Sequence, residues 1–345
     1  MRTMIEQMNF KEATDSEFAA LNKIINIVRF ERQPDDPPIP LNETTNQIKN
    51  LPSFVDLKMW SVWNEDHSEM IAMGNVGLMH TDENQHIAQF DIIVHPDARR
   101  QGIGKELLGL ITAAAQADQR RLLLTDTNDR IPAGEAFMQR LGAKRGLEGH
   151  VNQLRVDEID RDLLEHWLEN GQKNISEFEL GIWEGAYPEE QLNEIVQLME
   201  LTNQQPLGDL AIEDMHITTQ QLREMEKMDT ARGNQRCTFY VLEKANATFA
   251  GYTETVWNAN RPEILRQDMT GVFPEYRGKG LGRWLKAAMM DHMLKIHPQI
   301  KFIRTQNADT NAAMLRINNE MGFKPYMTSV LWQMEISQVL GYLKS

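Results

Sequence analysis

The chain has 345 residues, enough for two domains of ordinary size, each with its own core. Its 36 Lys plus Arg stand against 50 Asp plus Glu, a net charge of −14, which excludes a general polyanion binder and leaves local basic loops to meet a small phosphorylated ligand. Cys237 is the only cysteine and the 9 histidines form no His-Glu-x-x-His pattern, so a disulfide framework and a metal site are both excluded and a reducing cytoplasm fits.

The opening Met1-Arg2-Thr3-Met4-Ile5-Glu6-Gln7 leads into polar residues, and no later run approaches the roughly 18 apolar residues of a membrane span, so a soluble, untargeted protein is expected. A short strand is predicted near Met8–Lys11, then a helix in which Phe18, Leu21, Ile24, Ile25 and Val28 recur at helical spacing. Pro34, Pro37, Pro38 and Pro40 make the next stretch a surface loop. Strands follow at 58–63, 70–78 and 87–94. The last runs into Val94-His95-Pro96-Asp97-Ala98-Arg99-Arg100-Gln101-Gly102-Ile103-Gly104-Lys105, a glycine turn opening a helix. Such a turn lets backbone approach a ligand closely and presents helix N–H groups that lack intrahelical partners, which makes it an anion cradle. Leu122–Leu124 reads as a buried strand and 133–141 as a helix stopped by Gly142.

Residues 156–174, charged and helix-prone, read as a connection between domains 1–155 and 175–345. The second half repeats the plan: a strand at 178–183, a helix with Leu192, Ile195, Val196 and Met199 on one face, a loop around Pro206, a helix at 218–232, and strands at 237–242, 249–257 and 265–273. Cys237, in an aromatic-rich strand, reads as a buried small hydrophobe rather than a nucleophile. The strand at 265–273 delivers Val272-Phe273-Pro274-Glu275-Tyr276-Arg277-Gly278-Lys279-Gly280-Leu281-Gly282-Arg283, in which Pro274, Arg277, Gly280 and Gly282 stand 178 positions after Pro96, Arg99, Gly102 and Gly104. The chain is duplicated. Behind this loop Leu281, Trp284, Leu285, Ala288 and Met289 form a helix stripe that clamps the cradle to a sheet. A strand at 301–305 and a helix capped by Asp309 or Thr310 and ending at Gly322 complete the pattern.

The order Arg-x-x-Gly-x-Gly matches neither Walker A nor the dinucleotide fingerprint. It resembles the pyrophosphate loop of the GNAT superfamily of acetyl-CoA-dependent N-acetyltransferases, and the run Thr305–Phe323, with Asn311 eleven residues before Gly322, resembles that family's last motif. The resemblance implies an α/β (α+β) chain of two tandem GNAT-like domains, each a mixed central β-sheet flanked by helices, similar in layout to the tandem-domain mycothiol synthases. It implies splayed fourth and fifth strands, acetyl-CoA as co-substrate, no metal, and a cofactor site made by Val272, Arg277, Gly278, Lys279, Gly280, Leu281, Gly282, Arg283 and Asn311. In the first copy the same site falls on Val94, Arg99, Gly102 and Gly104.

The sequence departs from the family pattern where its chemistry would sit. Arg266 and Ala88 occupy the usual place of a Glu base, which leaves Asp268, two residues on, and Glu254, on the preceding strand, as candidates for deprotonating an amine. Asn318 and Met138 occupy the place of a tyrosine that protonates the thiolate, and Ile131 stands where the second copy has Asn311. The second copy is therefore read as the catalytic one, acting on a small-molecule amine by direct attack in a ternary complex, and the first as mainly structural, with neither nucleic acid nor membrane as partner. Asp209, Glu213 and Asp214 favour a cationic amine if they belong to an acceptor-side lid; surface solvation is the other reading of them. The alternative function is a non-catalytic acyl-CoA-binding or sensory protein.

Overall fold

A computed structural model describes residues 4–174 and 176–344; Met1, Arg2, Thr3, Ile175 and Ser345, with the readings that fall on them, lie outside it. The chain forms two compact units. The first runs to Glu148 and adds Leu207–Glu213 and the segment from Ser329 on; the second is Gly149–Pro206 with Asp214–Thr328. The units are interleaved, whereas the sequence reading drew one cut with a connector at 156–174.

The first unit begins with β1 (Met4–Gln7), four residues earlier than the strand expected at Met8–Lys11, and α1 (Asp15–Arg32). Thr14 starts α1 with a capping box: its hydroxyl accepts from Glu17 N–H, and the Glu17 carboxylate accepts from Thr14 N–H at 2.7 Å. After the proline loop come α2 (Leu41–Lys49), β2 (Val55–Trp63), β3 (Met70–Met79), β4 (Ile87–Val94), α3 (Ile103–Ala117), β5 (Leu122–Asn128) and α4 (Pro132–Leu141). β6 (Lys144–Arg155), α5 (Arg161–Asn174), β7 (Phe178–Glu184), α6 (Leu192–Met199), α7 (Thr219–Ala231), β8 (Asn234–Glu243), β9 (Thr248–Asn258) and β10 (Ile264–Val272) follow. The chain ends with α8 (Leu281–Ile296), β11 (Phe302–Ala308), α9 (Ala312–Met321), β12 (Lys324–Glu335) and α10 (Ile336–Lys344).

In the first unit the strands lie in the order β1-β2-β3-β4-β5-β12, with β4·β5 parallel and β1·β2, β2·β3, β3·β4 and β5·β12 antiparallel. The edge beside β5 is filled by Ser329–Glu335 of β12, from the far end of the chain. α1 covers one face with Phe18, Leu21 and Ile24, and α3 the other with Leu107, Leu108 and Ile111. At Gly74 of β3 a Cβ would lie 3.2 Å from Leu107, so this glycine sets how closely α3 seats.

In the second unit the order is β6-β11-β10-β9-β8-β7, with β10·β11 the parallel pair. α8 buries the expected stripe of Leu281, Trp284, Leu285, Ala288 and Met289 against the sheet. The segment read as a connector supplies α5, which packs on α8 within this unit; at Gly171 a Cβ would lie 2.2 Å from the Trp284 ring, so the glycine admits the indole. α6 and α7 cover the opposite face around Trp183, Tyr187 and Leu198. Among the described residues no helix is long and apolar enough to cross a membrane.

Candidate active site

In each unit the two parallel strands pair briefly and then part. β10 and β11 are in register from Ile264–Arg266 against Phe302–Arg304, and β4 and β5 from Ile87–Gln89 against Leu122–Leu124. Beyond these residues β10 runs on to Val272 and β11 to Ala308, opening a cleft. The β9 register breaks between Gln267 and Thr270, so Asp268 and Met269 sit in an irregular stretch at the cleft. Asp268, Thr270, Asn307, Asn311 and Lys286 line it.

At the end of β10 a single turn, Pro274–Tyr276, leads to Gly278 and Gly280, with φ of 79° and 86°. Gly280 caps α8 without any side-chain hydrogen bond, which leaves the first helix N–H groups for an external acceptor, as an anion site requires. Leu281 is buried and Gly282 lies against Ile317, so both offer backbone rather than side chain. The first unit repeats this at Gly102, φ 90°, and α3, with Gly104 beside the Phe137 ring. The counterpart of Gly278 there is Arg100 at φ 65°, an L-residue held in the left-handed region.

The basic side chains of the two loops have protein partners. Arg277 Nε donates to the Val272 carbonyl at 3.0 Å and its Nη2 to Gln204 at 3.1 Å, bracing the strand end. Arg99 does the same to Val94 at 3.2 Å and forms a two-pronged pair with Glu31. Arg283 makes two 2.8 Å bonds to Glu320. Lys279 is 3.4 Å from Glu177 and more than a third exposed. Arg277 and Arg283 thus each have a protein partner for the guanidinium, and the first N–H groups of α8 have no side-chain cap.

Glu254 on β9 accepts from the Tyr187 hydroxyl at 2.7 Å and the Thr238 hydroxyl at 3.0 Å, with Arg236 Nε at 3.8 Å. Burial pushes its carboxyl up; Arg236 and the two hydroxyls pull it down and Asp268 adds to the rise. Asp268 accepts from Arg266 Nε at 2.7 Å and is a third exposed. The Arg at the usual base position therefore orients the neighbouring acid.

Asn311 is itself the cap of α9, in place of Asp309 or Thr310: its side chain accepts from Met314 N–H at 3.3 Å. Asn318 does not face the cleft. Its Nδ2 donates to Asn307 at 2.6 Å and its Oδ1 accepts from Lys286 Nζ at 2.5 Å. Sequence reasoning missed Lys286, which has no exposed surface, donates also to Gln267 at 2.8 Å, and is lowered by burial to about 7. It missed Asp91 as well. That side chain is exposed by area, yet dense protein and nearby Asp126 push it up to about 6, with Arg32 opposing, so the first unit does carry an acid on the strand before its glycine loop. The only sequence signal for Asp91 was its place three residues before Val94.

The acidic segment is divided between the two units. Leu207–Glu213 belongs to the first unit, where Asp209 pairs with Lys144 at 3.1 Å and Glu213 accepts from Asn84 N–H at 2.8 Å. Asp209 N–H reaches the Gly146 carbonyl at 2.8 Å, and Leu210 packs with Ile87, Leu122 and Leu124. Asp214 lies in the second unit and is exposed. Cys237 is buried, as expected, and its thiol is pushed up to about 12, chiefly by burial.

Residues 58–142 match the family model described as Acetyltransferase (GNAT) domain, and residues 196–323 that described as Acetyltransferase (GNAT) family. No curated protein matches by sequence. Among solved structures, a tandem GNAT protein from the clavulanic acid biosynthesis pathway superposes with a TM-score of 0.79 at 22% identity over 97% of this chain and 99% of that one. A GCN5-related N-acetyltransferase from Sphaerobacter thermophilus gives 0.68 at 13% identity, over 97% and 96%. At such identities the likeness is one of fold.

Proposed function

This chain belongs to the GNAT superfamily of N-acetyltransferases, with two such domains in tandem, and from that premise we propose that it moves an acetyl group from acetyl-CoA to a primary amine by direct attack, mainly in the second unit. The observation that carries the reading is the course of β10: it parts from β11, passes through an irregular stretch presenting Asp268 at the cleft, and leads by one turn to an uncapped helix N-terminus at Gly280.

Acetyl-CoA supplies an activated acyl carbon and a thiolate leaving group. The N–H groups at the start of α8 and Lys279 hold its phosphates, Arg277 keeps the strand end in place through the Val272 carbonyl, and Asn311 fixes the start of α9 beside the cleft. Asp268, which lines the cleft, takes the proton of the attacking amine, while Glu254 is held by the Tyr187 and Thr238 hydroxyls. No enzyme nucleophile takes part, since the Cys237 thiol stays protonated across the working pH range. A cytoplasmic setting agrees with this single buried thiol.

The test is release of free CoA from acetyl-CoA with a panel of primary amines. Release that depends on the amine, and that falls by about 10²-fold or more in Asp268→Asn and by less in Glu254→Gln, is expected for loss of a general base. A greater loss in Glu254→Gln than in Asp268→Asn would return proton transfer to Glu254, and amine-independent release would refute transfer.

A further inference from the structure

Lys286 is an oddity in the second unit: an amine with no exposed surface, on the helix that follows the cradle, lining the cleft between β10 and β11. Its two partners, Gln267 Oε1 at 2.8 Å and Asn318 Oδ1 at 2.5 Å, are amide oxygens and neither is a carboxylate. Their orientation is forced from behind. Asn318 Nδ2 is given to Asn307 at 2.6 Å, and Gln267 Nε2 to Thr270 at 2.6 Å, whose hydroxyl is 2.7 Å from Thr253. With both amide nitrogens engaged elsewhere, both oxygens are left for the amine.

The fold does not require this amine. Leu108 stands 178 positions before Lys286, and Thr127 and Met138 stand 180 before Asn307 and Asn318, so the first unit has the same helix and strand without the polar chain. A buried amine costs stability, and it faces a cleft in which a thiolate must leave. Asn318 stands where the family resemblance puts a proton-donating tyrosine, yet its own N–H is directed at Asn307.

We propose that Lys286 donates the proton taken up by the departing CoA thiolate, with Gln267 and Asn318 as its positioning residues; the inference rests on the reading that the second unit carries the reaction. As the tetrahedral intermediate collapses, the C–S bond breaks, its electron pair goes to sulfur, and an Nζ–H proton moves to sulfur to give the thiol. Lys286 is left neutral. The proton lost by the attacking amine resides on Asp268, the other ionisable side chain lining the cleft, and exchange with water resets both groups. Burial holds the amine near 7, below the roughly 8.5 of a free thiol, so the transfer runs downhill.

The probe is CoA itself, bound to the full chain, with its thiolate followed by ultraviolet absorption during a pH titration. In the wild type the amine and the thiol titrate as a coupled pair, so part of the thiolate absorption appears in a first step at about 7, ahead of the main step at about 8.5. Lys286→Met leaves a single step at about 8.5 while CoA still binds. In turnover this variant loses about a hundredfold with acetyl-CoA, the lower end for loss of a general acid, and only a few-fold with an aryl thioester whose thiolate leaves unprotonated. If Lys286→Met does not fold, the pair Lys286→Leu and Asn318→Met, copied from the first unit, takes its place. An unchanged thiolate titration in a variant that binds CoA overturns the inference alone. If Gly280→Val instead leaves CoA binding and transfer intact, the site reading falls and the inference with it.

Discussion

Replacing Lys286 by methionine has a consequence for stability that needs no substrate. Burial takes the amine from 10.5 to about 7 in the folded chain. Below pH 7 both states hold the proton and above 10.5 neither does, so the group adds no slope there. Between these limits the unfolded chain binds the extra proton, and wild-type stability therefore rises with pH. The limiting slope is about 1.4 kcal/mol per unit, and integration from pH 7, where the folded amine is half protonated, to pH 9 gives about 2 kcal/mol. Tyr187, Tyr252 and Cys237, all raised by burial, titrate in both proteins and cancel in the difference. The assay is urea unfolding followed by tryptophan fluorescence, wild type against Lys286→Met at pH 7, 8 and 9. The Met variant is expected to lose ground by about 2 kcal/mol over that range, on top of a constant offset from the two orphaned amide oxygens. A difference that does not change with pH would mean that the folded amine stays charged, and would refute the argument.

Among the remaining predictions, the matched variants Gly102→Val and Gly280→Val, each first shown to fold, separate the two copies. Each places a β-branched residue at positive φ beside a helix N-terminus, and acetyl transfer should survive the first and be largely lost in the second. The reverse order would move catalysis to the unit that holds Asp91. Cys237→Ala should leave amine-dependent CoA release unchanged and cost about 1–2 kcal/mol in urea unfolding, as for a small buried hydrophobe; loss of turnover would reinstate a covalent route.

What the sequence by itself determined is what neighbours in the chain decide. A glycine that must adopt positive φ before a helix is a local demand, so both cradles were legible, as were the strand at Ile87–Val94 and the buried stripe of α8. Only the tertiary structure decided the rest. Lys286 carries no local signal: its burial arises because α5 packs on one side of α8 and the sheet on the other. Asn318 reads as a substitute for a missing acid until Asn307 takes its N–H. Asp209, Glu213 and Asp214 read equally as part of a lid or as a solvated surface, and Ser329–Glu335 carries no sign that it pairs with β5, because a strand's hydrogen bonds are the same for any partner of suitable register. Which partner is close depends on where chain segments some two hundred residues apart come to lie, a matter of packing that no local pattern encodes.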